Sequence, residues 1–120
     1  MDLALRSDKE FVRRLTEIVE TNLVNDNFGV DELIRQSGLS PILIRQRVKG
    51  ILGKTLSQFI CDIRLKKAFG ILQQNNLTAS EVSCLVGFGS PSYFTSCFHD
   101  YFGFPPGEVQ RRTTDTGGSD

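Results

Sequence analysis

Ser40-Pro41-Ile42-Leu43-Ile44-Arg45-Gln46-Arg47-Val48-Lys49-Gly50-Ile51-Leu52-Gly53 is echoed fifty residues later by Ser90-Pro91-Ser92-Tyr93-Phe94-Thr95-Ser96-Cys97-Phe98-His99-Asp100-Tyr101-Phe102-Gly103. Each copy opens with serine and proline, a helix cap followed by the residue whose fixed φ suits the first helical position. Each closes on glycine, the natural left-handed residue at a helix end. Ile44 matches Phe94, Val48 matches Phe98 and Leu52 matches Phe102, so the same face of both helices is apolar. An internal repeat decides the architecture before any other feature does.

Working outward, each copy is preceded by a shorter helical stretch and a turn. Upstream of the first, Val30 to Gln36 carries Val30, Leu33 and Ile34 inward, with Gly29 at its cap and Ser37-Gly38 as its stop. Upstream of the second, Thr78-x-x-Glu81 is a capping box opening a short helix with Val82, Leu85 and Val86 inward, ended by Gly87-Phe88-Gly89. A short helix, a glycine turn and a longer helix make the helix-turn-helix unit, whose second helix enters the DNA major groove in known examples. Two ordinary helical hairpins in a bundle would give the same spacing.

Between the copies, about Thr55 to Gln74 reads as one long helix with two offset apolar sets. Leu56, Phe59, Ile60 and Ile63 form the first, and Leu65, Ala68, Phe69 and Leu72 the second, as expected of a connecting helix that packs on two bodies. Ahead of both copies, Ser7 and Asp8 are caps for a first helix. It is expected to reach about Val24 on Phe11, Leu15, Ile18 and Asn22, with Val12 and Val19 beside them. Pro105-Pro106 opens a last short helix to about Arg112. No segment alternates as a strand. The fold expected is all-α, with seven helices and two helix-turn-helix subdomains, about 30–53 and 78–103, joined by a connecting helix at about 55–74. Residues 1–7 read as a linker, 8–112 as the domain and 113–120 as a flexible tail.

The 120 residues suit one small domain, and their 14 basic and 14 acidic side chains cancel. The total hides a distribution. Residues 33–70 hold eight cations against Asp62 alone, while both flanks are acidic, and no Lys or Arg falls between Asn75 and Gln110. A local basic stretch of this kind steers polyanions. Cys61, Cys84 and Cys97 lack paired spacing, which argues for reduced thiols and a cytoplasmic protein. No apolar run approaches the roughly 18 residues of a membrane span, so no membrane partner is expected. With His99 the one histidine, and neither clustered carboxylates nor a phosphate-binding glycine loop, the sequence argues against an enzyme. Cys97-x-His99 is too short a spacing for a metal site, and no metal or cofactor is expected.

The outward faces of the repeated helices supply the candidate site. Opposite the core stripe Ile44, Val48, Ile51 and Leu52 lie Ile42, Arg45, Gln46 and Lys49. Arginine and glutamine bond guanine and adenine edges bidentately, and an apolar Ile42 suits a thymine methyl. The second outward stripe is Ser92, Thr95, Ser96 and His99, with Pro91 at its start. It offers hydroxyls and one imidazole and little electrostatic pull.

Gly87-Phe88, Ser92-Tyr93-Phe94 and Cys97-Phe98-His99-Asp100-Tyr101-Phe102-Gly103-Phe104-Pro105-Pro106 closely resemble the signature of the AraC/XylS-type DNA-binding domain. Ile63-Arg64-Leu65-Lys66-Lys67-Ala68 fits its long helix, and the resemblance covers roughly residues 8–112. It implies two homeodomain-like helix-turn-helix units on successive major-groove segments of double-stranded DNA, in a bacterial transcription regulator that recruits RNA polymerase or represses. Carried over, the base-reading positions are Ile42, Arg45, Gln46 and Lys49, then Pro91, Ser92, Thr95, Ser96 and His99. Ser40, Arg47, Lys54 and Ser90 fall where phosphates are met. Two positions depart from the family: Ser96 stands where a long polar residue is frequent and His99 where lysine is frequent. The family also implies an upstream sensing or phospho-receiver domain, and the acidic first helix and Arg64-Leu65-Lys66-Lys67 are similar to the two-component type. The alternative function is a helical protein-interaction module without DNA binding, which a salt titration of DNA affinity separates.

Overall fold

The computed structural model describes residues 6–74 and 76–109, and over these all regular structure is helical. Its order is α1 Asp8–Thr21, α2 Val30–Ser37, α3 Pro41–Leu52, α4 Leu56–Gln74, α5 Ala79–Leu85 and α6 Pro91–Phe102, followed by a 3-10 turn at Pro106–Glu108. The chain divides into two compact units, Met1–Ile63 and Arg64–Asp120, with α4 running through the boundary.

The local signals act as their chemistry requires. Ser40 Oγ accepts from the Leu43 N–H at 3.2 Å, and Ser90 Oγ accepts from the Tyr93 N–H at 3.3 Å, each satisfying one orphan donor of a helix start. At the other ends, Gly53 and Gly103 take φ of 70° and 87°, where a side chain would be strained. Thr78 and Glu81 form the reciprocal box, the Thr78 N–H donating to Glu81 Oε1 at 2.9 Å and the Glu81 N–H to Thr78 Oγ1 at 3.1 Å. These bonds, the Thr78 backbone N–H foremost, hold the Glu81 carboxyl below its usual range.

In the first unit, Phe11, Leu15, Ile18 and Val19 of α1 pack with Phe28, Leu33 of α2, Ile44 and Val48 of α3, and Leu56, Phe59, Ile60 and Ile63 of α4. The second unit has a more aromatic interior. Phe94 and Phe98 of α6 are fully buried, and the Phe98 ring lies 5.7 Å from Phe94 and 4.5 Å from Phe102, a ladder at i, i+4 spacing. Phe69 of α4 joins it at 4.9 Å from Phe102, and Phe88 caps its other end at 5.1 Å from Phe94. The two offset apolar sets of α4 thus enter two different cores, since Leu65, Ala68 and Leu72 are buried in the second unit.

Two expectations are corrected. α1 ends at Thr21 and not near Val24, because Asn22 is its C-cap and turns its side-chain amide onto the Ile18 carbonyl at 2.8 Å and onto Gln36 at 3.2 Å. Leu85 is 44% exposed, since it is the last residue of α5 and the chain leaves the helix there, while the neighbouring Ser83 takes the buried place. The last helix opens where expected, with a 3-10 turn at Pro106–Glu108 whose Glu108 N–H donates to the Pro105 carbonyl at 3.0 Å, and with Val109 helical behind it. Gln110–Arg112 and the tail 113–120 lie outside the described residues.

Candidate nucleic-acid interface

α3 buries Ile44 and Val48, and this alone sets what its other side presents. Ile42, Arg45, Gln46 and Lys49 are all exposed, Ile42 to 70%. Arg45, Gln46 and Lys49 also line an open concavity of about 330 Å³, completed by Lys54, Thr55 and Leu56 at the start of α4. The structure therefore brings the first predicted stripe together on one exposed face.

Of the cations on and beside this face, several are held by protein acceptors. Lys49 Nζ reaches the Gly53 carbonyl at 3.4 Å, and Lys54 Nζ pairs with Asp62 at 2.5 Å. On α2, Arg35 is forked onto Glu32, whose carboxyl is pulled down to about 2 by that hydrogen bond first and by Gln36 second. Arg64 is 5% exposed and donates from Nη1 to the Val86 carbonyl at 2.6 Å, so it serves the second unit's interior and not its surface. No reading of the sequence singled out that role, although Arg64 lies between Ile63 and Leu65, where the two apolar sets meet.

Arg47, expected at the phosphates, is engaged by groups of the first unit. Its side chain is 18% exposed, and its guanidinium lies 4.3 Å from the Phe11 ring centroid. Nη2 donates to the Arg6 carbonyl at 2.5 Å and to Asp8 Oδ1 at 3.2 Å. The position explains this: residue 47 adjoins Val48 and follows Ile44 by three, so its stem runs along the edge of the core stripe toward α1.

On α6, Pro91, Ser92, Ser96 and His99 are exposed and Thr95 is half-buried. Ser40 and Ser90 accept backbone N–H bonds as caps, which leaves each hydroxyl proton to donate. Leu43 and Tyr93, equivalent under the repeat, are also exposed beside these caps. Sequence reasoning passed over both, though their absence from the i, i+4 core ladder was the available signal. Cys97 is half-buried, and among the described residues no three His, Cys, Asp or Glu side chains gather as a metal site. No helix among them is long and apolar enough to cross a membrane.

The family model described as a helix-turn-helix domain matches residues 33–112. Histidine kinase P4 of Formosa agariphila is 34% identical over 105 residues, 88% of this chain but 8% of that protein. The virulence regulon transcriptional activator VirF of Shigella flexneri is 30% identical over 104 residues, 87% of this chain and 39% of VirF. The chain thus spans well under half the length of these curated relatives. Among solved structures, a Chromobacterium violaceum transcriptional regulator described as carrying an AraC-type DNA-binding domain shares the fold at a TM-score of 0.78, with 22% identity, over 87% of this chain and 92% of that one. With the repeated Ser-Pro helices, the two units and the exposed faces, these findings show that the chain belongs to the AraC-type helix-turn-helix family of DNA-binding domains.

Proposed function

We propose that α3 is the principal reader of DNA sequence, that α6 reads a second major-groove segment weakly, and that the grip on the backbone comes mostly from the first unit. The observation that carries this is the exposed stripe Ile42, Arg45, Gln46 and Lys49. Arg45 matches the O6/N7 edge of guanine, Gln46 the N6/N7 edge of adenine, and Ile42 a thymine methyl. The α6 stripe, Pro91, Ser92, Thr95, Ser96 and His99, has hydroxyls and an imidazole to offer and no side chain of fixed positive charge. Its contribution is positioning and modest base contact. Ser40 and Ser90 donate to phosphates through their hydroxyl protons, at helix starts that favour anions.

The domain acts in the cytoplasm as the output end of a longer regulator, with a sensing or receiver part upstream and RNA polymerase as a protein partner. The supporting fact is that the chain spans 8% of a relative named as a histidine kinase and 39% of one named as a transcriptional activator.

Selection of bound duplexes from a random pool yields the site and its length. On that site, Arg45→Ala relaxes base preference at one position and costs about 1–3 kcal/mol. Lys49→Ala shows its role by its pattern: loss at one base marks a base contact, and uniform loss with a salt slope lower by about one marks a phosphate contact. A double Arg45→Ala, Gln46→Ala variant that still selects the same site with the same affinity would remove α3 as the reader.

A further inference from the structure

Arg47 lies at the edge of the α3 core stripe, away from the exposed stripe Ile42, Arg45, Gln46 and Lys49. Three groups from one short segment converge on its guanidinium: the Arg6 carbonyl at 2.5 Å, the Asp8 carboxylate at 3.2 Å and the Phe11 ring at 4.3 Å. They differ in kind. The carbonyl is backbone, one residue ahead of Ser7, which caps α1. The carboxylate is on the first residue of α1 and is 73% exposed, and the ring is fully buried in the core. A planar fork with several fixed donors can satisfy two acceptors in its plane while its face lies on an aromatic ring, a combination a point-charge ammonium cannot reproduce. On α3, Arg47 stands between Gln46 and Val48, two residues before Lys49. Whatever fixes Arg47 therefore fixes the roll of the helix at the positions assigned to base reading.

We propose that Arg47 is a positioning residue for sequence recognition, latching the chain segment that enters α1 to the reading helix α3, and that it is not a ligand of DNA phosphate. The proposal rests on the assignment of α3 as the reader. Because one anchor is the Arg6 backbone, the path of the chain into α1 is tied to the roll of α3. A displacement of Arg6–Asp8 then alters base reading without any group on the DNA-facing stripe being changed.

The test uses the whole chain and fluorescence anisotropy on two duplexes, one carrying the selected site and one scrambled, between 50 and 200 mM salt, a range chosen from the steepness of counterion release. The variants are Asp8→Ala, Arg47→Ala and Arg47→Lys, with Glu10→Gln as a control that removes an equal charge from the same helical turn, and Arg45→Ala with Gln46→Ala as the control on the reader. A latch predicts that Asp8→Ala lowers the ratio of specific to scrambled affinity several-fold while Glu10→Gln does not. It predicts that Arg47→Ala lowers the ratio by roughly tenfold, an ordinary coupling between sites, with the salt slope unchanged. Arg47→Lys fails to restore it, because lysine loses the fork and the ring contact. A phosphate ligand predicts the reverse: Arg47→Ala weakens both duplexes alike and lowers the slope by about one, Arg47→Lys rescues, and Asp8→Ala tightens both by freeing the guanidinium. That pattern overturns the proposal. So does a parallel loss on both duplexes that tracks a lowered melting temperature, which marks a role in stability alone. If the Arg45→Ala, Gln46→Ala control leaves the ratio intact, the reader assignment and the latch fall together. If that control lowers the ratio while every Asp8 and Arg47 variant spares it, the latch alone is wrong.

Discussion

Replacing Arg64 by methionine tests a buried contact of the second unit. Arg64 Nη1 donates to the Val86 carbonyl at 2.6 Å, and Val86 is the fully buried C-cap of α5. A carbonyl at a helix end has no intrahelical donor, so the guanidinium satisfies an acceptor that water cannot reach. Methionine keeps most of the apolar stem and removes the donor. A hydrogen bond to a charged group is worth about 1.5–3 kcal/mol, and the buried carbonyl left behind adds its own desolvation penalty. Relief from burying the guanidinium charge offsets part of this, which leaves a net loss of about 2 kcal/mol. The assay follows from composition. The chain has two tyrosines and no tryptophan, and Tyr93 and Tyr101 both lie on α6, so tyrosine fluorescence reports on the second unit while far-UV circular dichroism sees both units. In urea, the fluorescence transition of Arg64→Met should move to lower denaturant by the equivalent of about 2 kcal/mol with its slope unchanged. A loss under about 0.5 kcal/mol would refute the reasoning, since it would mean the Val86 carbonyl finds another donor at no cost. Arg64→Lys, with the charge but without the fork, should fall between the two.

Ser40→Ala removes the cap of α3 and should cost about 1 kcal/mol in thermal unfolding, and Ser40→Asn should recover most of it. Glu32, held down to about 2 chiefly by Arg35, has a folded pKa below its ordinary 4.5, so its support of α2 is complete above about 4.5 and is lost as pH falls toward 2. Carboxyl NMR titration should place its midpoint near 2, and Arg35→Gln should return it toward 4.5. Asp62→Asn releases Lys54 from its 2.5 Å pair and should tighten binding to any duplex while steepening the salt dependence by about one counterion; unchanged binding would mean that Lys54 does not reach a phosphate.

The helices were legible because their causes are local. Ser40, Ser90 and the Thr78–Glu81 box act within three residues, and Gly53 and Gly103 need only their own φ. The core faces of α3, α4 and α6 followed from apolar spacing for the same reason. Leu85 was misjudged because periodicity assumes the helix continues, and α5 stops at that residue. The exposed stripe of α3 was legible as the complement of its core stripe. The destinations of long cationic side chains were not. Arg47 meets a partner 41 residues away and Arg64 one 22 residues away, and no pattern along the chain encodes which acceptor the fold brings within reach of a guanidinium.

That failure changes what the basic middle of the sequence means. Eight cations between residues 33 and 70 read as a phosphate-binding surface. In the folded chain, Arg35 is committed to Glu32, Arg47 to Arg6 and Asp8, Lys54 to Asp62 and Arg64 to the second core. Arg45, Lys49, Lys66 and Lys67 are exposed, and Lys49 also reaches the Gly53 carbonyl. Arg35, Arg47, Lys54 and Arg64 hold the fold together, and each is lost to counterion release unless its intramolecular partner lets go. A charge count is an upper bound on phosphate contacts, and the salt slope of binding, which counts those made, should fall well short of it. The consequence for recognition is that little of the affinity is left to charge alone. On the proposed assignment of α3 as the reader, discrimination rests on how accurately that helix is held, and the proposed latch at its back matters as much as the residues on its front.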